Sequence, residues 1–144
     1  MDRCPEPSSA PTSVERAILP AEVAERVGVS AAATAWPPTL EELEGADRLL
    51  TTCIPTLPSV DDEAEQVPKI MAMLHQYRRQ VVAFRGEQGQ RMLWLNLFLD
   101  RTGDRHPKWR SEYVSVRGGG SQYFSILVDV DAQRCSDLRI NSAR

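Results

Sequence analysis

Between Gln80 and Asn141 apolar residues recur in runs of strand length, separated by short polar or glycine-containing turns. Gln80-Val-Val-Ala-Phe84 is a β-branched run, Arg85 to Gln90 is turn chemistry, and Arg91 to Leu99 is apolar and aromatic, which predicts a hairpin. Glu112 to Val116 alternates and predicts a third strand. Gly118 to Gly120 supply positive-φ turn positions, and Tyr123 to Val130 follows as a fourth strand. Asp131 to Arg134 then turns the chain into a last strand, Cys135 to Asn141. Strands adjacent in sequence usually pair, so the pattern predicts an up-and-down antiparallel meander over about residues 80–141.

Side chains alternate faces along a strand, so parity sorts them. Leu93, Leu95, Leu97 and Leu99 share a face with Phe124, Ile126, Val128 and Val130, and this face is predicted as core. The opposite face carries Met92, Trp94, Asn96 and Phe98 with Tyr123, Ser125 and Leu127, which is far from the polar set of a solvated sheet. Large aromatics bury roughly 150–250 Å² each, so this second face also needs a cover.

Upstream, residues 1–13 are rich in Pro and Ser and read as a mobile tail, leaving 14–144 as one domain. Pro20 to Gly28 has the proline start and glycine stop of a short helix over about 20–28. Thr39 stands three residues before Glu42, a capping box that opens a helix over about 39–54, with Leu43, Ala46, Leu49, Leu50 and Cys53 as its apolar stripe and Pro55 and Pro58 ending it. A third helix is predicted over about 66–79. Acidic residues precede it, Arg78 and Arg79 lie in its last turn, and Ile70, Leu74 and Tyr77 face the leucine side of the sheet. The methionines beside them are expected as core filler. The fold class is therefore α+β, with N-terminal helices packed on a mainly antiparallel sheet of four to five strands.

At 42% hydrophobic residues in 144, the chain can fill an ordinary core. No stretch reaches the roughly 18 apolar residues of a membrane span, and Met1-Asp-Arg-Cys4 lacks an export signal's apolar region, so the cytoplasm is the default expectation. Cys4 and the Pro-rich residues after it fit an exported lipoprotein if the N-terminus is truncated. Cys4, Cys53 and Cys135 lack metal-ligand spacing, so they are expected as buried or incidental thiols. A bridge between Cys53 and Cys135 stays open, although a cytosolic setting disfavours it.

The net charge of −3 hides an asymmetry. Residues 1–72 hold 5 Lys or Arg against 13 Asp or Glu, a net of −8, whereas residues 73–144 hold 12 against 7, a net of +5. One reading is that acidic helices and a basic sheet complement each other; the sharper reading is that the sheet or its loops present a cationic surface to an acidic partner.

Candidate chemistry is sparse. Gly118-Gly-Gly120 precedes a strand rather than a helix and lacks the lysine of a phosphate loop, so it is expected as a turn. Asp100, Asp104 and Glu112 lack calcium-loop spacing, and His75 and His106 have no nucleophile at a telling distance. No catalytic residue, metal site or cofactor is expected. Arg101, Arg105, His106, Lys108, Trp109 and Arg110 interleave cations with an aromatic, as single-strand nucleic-acid binders do, but flanking acids cut the loop's charge to +1 and argue against that partner.

Tyr77-Arg-Arg-Gln80, Trp94 to Phe98, Trp109, Val114 to Phe124 and Asp137-Leu-Arg-Ile-Asn141 resemble small bacterial proteins in which a helix precedes a meander with a D-G-G-x-x-Y/F-F turn. Arg117 stands where those carry an acid, Ser142 replaces a closing glycine, and the likeness implies shape without activity. A helix gripped by a meander also resembles the cystatins. Gln80-Val-Val-Ala-Phe84 is similar to their Q-x-V-x-G hairpin and His106-Pro-Lys-Trp109 to their Pro-Trp loop, although Phe84 replaces the apex glycine.

The chain thus reads as a non-enzymatic binding or protein-interaction module, with Trp94, Asn96, Trp109, Arg117 and Tyr123 as candidate binding residues. For Trp94 and Tyr123 the favoured reading is core beneath the N-terminal helices rather than a ligand role. Alternatives are a small-molecule binder or isomerase-like enzyme using a cavity between helix and curved sheet, a cystatin-like inhibitor, and self-association through the second sheet face.

Overall fold

The protein's structure, a computed structural model, describes residues 14–58, 63–100 and 105–142. The predicted tail 1–13 lies outside the described residues, as do Arg101 and Asp104. Five strands form one sheet in sequence order: β1 (Arg16–Leu19), β2 (Arg78–Arg85), β3 (Arg91–Phe98), β4 (Tyr123–Asp129) and β5 (Arg134–Ile140). β1 runs parallel to β2, and β2 to β5 form the antiparallel meander. Three helices fill the long crossover from β1 to β2: α1 (Glu22–Arg26), α2 (Leu40–Cys53) and α3 (Val67–Met73). The architecture is α+β, as the residue pattern predicts.

Both faces of the sheet carry buried apolar side chains, as parity requires. On the leucine face, Leu93, Leu95, Leu97 and Leu99 join Phe124, Ile126, Val128 and Val130 in the largest core cluster, against Leu50 and Ile54 from α2 and its end and Ile70 from α3. The Thr39 hydroxyl accepts from the Glu42 backbone N–H while the Glu42 carboxylate accepts from the Thr39 N–H, the reciprocal cap that starts α2. On the second face, Val82, Phe84 and Trp94 are buried against Leu19, Ala21, Val23 and Ala24.

Three expectations are corrected. First, the helix expected over 66–79 stops at Met73, passes through a short 3₁₀ turn at Leu74–Gln76, and gives Arg78 and Arg79 to β2. Pairing wins over helix propensity here, because Arg79 sits opposite Leu97 on one side and Arg16 on the other.

Second, α2 lies on the leucine face, so of the two N-terminal helices only α1 covers the second face. Third, Glu112 to Val116 is not a strand; the fifth strand is β1. β3 and β4 pair directly from Met92 opposite Asp129 to Phe98 opposite Tyr123, leaving no ladder position between them.

The displaced segment lies across the second face and takes its hydrogen bonds from side chains. Gln80 Oε1 accepts from the Val114 N–H at 2.9 Å, and Asn96 Nδ2 donates to the Val114 carbonyl at 2.8 Å. Gln80 Nε2 donates to the Trp109 and Glu112 carbonyls at 2.7 and 2.6 Å. A buried loop must satisfy its backbone somewhere, and here two amide side chains on facing strand positions do it.

Candidate functional site

Where β3 ends and β4 begins, aromatic and charged side chains gather. Phe98 and Tyr123 are register partners, and both are buried with Trp109, Val114 and Ala17. The Gly118–Gly120 run makes this approach possible. Gly119 has φ +85°, and a Cβ there would fall 2.6 Å from the Tyr123 ring. The run is anchored by Asn141, whose Nδ2 donates to the Val116 and Gly118 carbonyls at 2.8 Å each. It is a turn, as expected, although it leads into a 3₁₀ turn at Gly120–Gln122 rather than closing a hairpin.

The loop over this end is pinned from below. His106 packs edge-on against Phe98 at 5.4 Å between ring centroids, and its Nε2 lies 3.0 Å from the Tyr123 hydroxyl. Trp109 meets Phe98 at 5.8 Å and carries two guanidinium groups on its ring, Arg78 at 5.1 Å and Arg110 at 4.6 Å. Arg78 also pairs with Glu15 at 2.8 Å and Asp100 at 3.6 Å, and Arg110 pairs with Glu15 at 3.6 Å. A hydrogen bond to Tyr123 raises the pKa of Arg105, which is exposed at the surface.

Beside this loop opens a cleft of about 650 Å³. Met73, Ala72 and Leu99 give it apolar walls, and Lys69, Asp100, Arg105 and Gln122 supply polar ones. The Asp100 carboxylate is already engaged, accepting from the His106 N–H at 3.2 Å and facing Arg78. Among the described residues, neither Lys69 nor Lys108 has an acidic partner. The solvent side of this end is therefore cationic, while the aromatic rings lie beneath it.

The five residues singled out from the sequence do not form one site. Trp94, Asn96 and Tyr123 line a shallow groove of about 230 Å³ beside Tyr113 to Val116. Trp94 and Tyr123 are nevertheless core, and Asn96 is spent on Gln80 and Val114. Trp109 is buried under the loop, and Arg117 stands apart, exposed on the glycine turn. Sequence reasoning missed Gln80, the anchor of the loop. Its signal was a polar residue opening an otherwise apolar run, on the face parity assigns to Trp94.

Elsewhere, cations of the sheet meet acids of α2 and of the β4–β5 turn. Arg79 Nε donates to Asp47 Oδ1 at 2.7 Å, Arg16 pairs with the other Asp47 oxygen, and Arg91 pairs with Glu42 and Asp131. Of these pairs, Arg79–Asp47 and Arg91–Glu42 join the basic sheet half to the acidic helical half.

Compared with protein-family models, curated proteins and solved structures, the chain matches none. The described residues form helices and a five-stranded, mostly antiparallel sheet, a shape loosely compatible with a helix followed by a meander. No helix among the described residues is long and apolar enough to cross a membrane.

Proposed function

We propose that this protein is a binding module whose cationic sheet end, with Lys69 and Arg105 on the wall of the 650 Å³ cleft and Lys108 on the groove that adjoins it at Arg105, engages an acidic protein partner. The observation that carries this reading is that Lys69 and Arg105 share one cleft wall with Lys108 on the adjoining groove. Inside the fold, Arg16, Arg79 and Arg91 are paired with carboxylates of the helices, whereas Lys69 and Lys108 are left without an acid among the described residues. Uncompensated charge clustered at one rim steers an oppositely charged partner and sets the salt dependence of its binding. The apolar floor of Met73 and Leu99 supplies a place to bury one side chain of that partner.

The rival readings have less support. An isomerase-like site needs a titratable pair in an enclosed cavity, but Trp94, Phe98, Trp109 and Tyr123 fill the second face. Asp129 caps a turn by accepting from the Ala132 N–H at 2.9 Å. Cystatin-like insertion needs an exposed loop, but Gln80 and Val82 are both 0% exposed in the sheet interior. Stacking of nucleic-acid bases needs an open aromatic face, and Trp109 is 4% exposed beneath two arginines. Self-association through the second face loses its reason, because α1 and the 105–116 loop cover it.

The test is titration of a synthetic Glu/Asp-rich peptide into the full chain, followed by amide chemical shifts. Shifts should concentrate at Lys69, Arg105, Lys108 and Gln122, weaken steeply with salt, and vanish in the Lys69→Glu/Lys108→Glu double variant. Equal affinity in that folded variant would refute the reading.

A further inference from the structure

Independent of any binding role, the chain carries a covalent link of a kind that is rare in reducing compartments. Cys53 and Cys135 are joined by a disulfide across 82 positions of sequence. Cys53 is the last residue of α2 and Cys135 the second of β5, and both are half-buried.

The bond meets the sheet where it has least support. β5 is an edge strand, paired with β4 alone. Its pairing is broken by a register shift between Ser125 and Leu127, and Asp137 takes a φ of +56° in its middle. Before this bulge β5 turns only Cys135, itself half-buried, to the leucine face, whereas the part after it buries Leu138 and Ile140 there. The disulfide therefore ties to the helical layer the half-strand that packing holds least. A link spanning so long a stretch of chain also removes many conformations from the unfolded ensemble.

We infer that this protein completes its fold in an oxidising compartment, with the Cys53–Cys135 bond as the clasp between the helical layer and the edge strand. Its formation is a two-electron oxidation. The two thiols lose two protons and two electrons to the disulfide of a thiol–disulfide oxidoreductase, which becomes a dithiol as the new S–S bond closes. Cytosolic thiol systems run this exchange in the opposite direction, which sets the expected location apart from the cytoplasmic default.

The inference is tested in the cells that make the protein. After acid quenching, free thiols are blocked with one maleimide, disulfides are reduced, and newly exposed thiols are blocked with a second of different mass. Peptides bearing Cys53 and Cys135 should both carry the second label; the first label on both would overturn the location. Melting the purified full chain tests the clasp. Reduction should lower Tm by on the order of 10 °C, and the Cys53→Ala/Cys135→Ala variant should melt with the reduced wild type. A reduced chain that melts with the oxidised one would overturn the clasp even if the bond forms.

Discussion

Asp47 of α2 bridges Arg16 of β1 and Arg79 of β2, two arginines that are themselves register partners in the parallel pair. Arg79 is 2% exposed, and its guanidinium also donates to the Tyr77 carbonyl at 2.6 Å and the Leu74 carbonyl at 3.3 Å. Burial lowers its pKa and Asp47 opposes that shift, so the carboxylate is what makes a buried guanidinium tolerable. One acid thus fastens the only parallel pair among the described strands to the helix above it.

Removing that acid strands two cations. Asp47→Ala is expected to cost about 3–5 kcal/mol, the scale for breaking a buried pair from one side. Urea denaturation checks this. Adding Arg79→Leu to Asp47→Ala should recover part of the loss, since the uncompensated buried charge goes with it.

Gln80 holds the loop that roofs the second face. Gln80→Leu leaves the Trp109 and Glu112 carbonyls and the Val114 N–H without that partner, and should destabilise the fold by about 1–3 kcal/mol. Amide exchange at residues 109–116 should accelerate well before exchange in β2 and β3 does. Uniform acceleration through the sheet would show that the loop and the core open together.

At Gly119, Gly119→Ala combines an unfavourable φ of +85° with a methyl group 2.6 Å from the Tyr123 ring. A loss of roughly 1–3 kcal/mol is expected. Displacement of Tyr123 should also disturb its hydroxyl contact with His106, visible as a changed imidazole resonance.

Tyr77 gives a pH signature. Its hydroxyl donates to the Ser121 carbonyl, and burial pushes its pKa up to about 12 from an ordinary 10. The folded state then holds its proton more tightly than the unfolded state. The contribution is complete below about pH 10 and is lost as pH rises towards 12. Stability measured across that window should fall more steeply in the wild type than in Tyr77→Phe.

How far the sequence speaks differs from element to element. The meander strands β2 to β5 and the start of α2 were legible because their signals are local: alternation, turn residues, and a cap three residues from its partner. β1 was not, since Arg16-Ala-Ile-Leu19 is four residues long and becomes a strand by pairing with β2, more than 60 positions away. Glu112 to Val116 misled because its alternation is genuine, yet Gln80 and Asn96 offer its backbone a better set of partners than a ladder. The loop cations Arg105 and Lys108 could be named from sequence; that Arg105 lines one cleft with Lys69 of α3 could not.

By itself, the sequence determined that this sheet has two apolar faces and where four of its strands run, because side-chain alternation is a property of consecutive residues. The tertiary structure decided what covers each face, which acid neutralises Arg79, and that Cys53 meets Cys135. Those outcomes depend on how α2 is set across the leucine face. That placement is a balance of burial and charge among residues far apart in the chain, which no local pattern encodes.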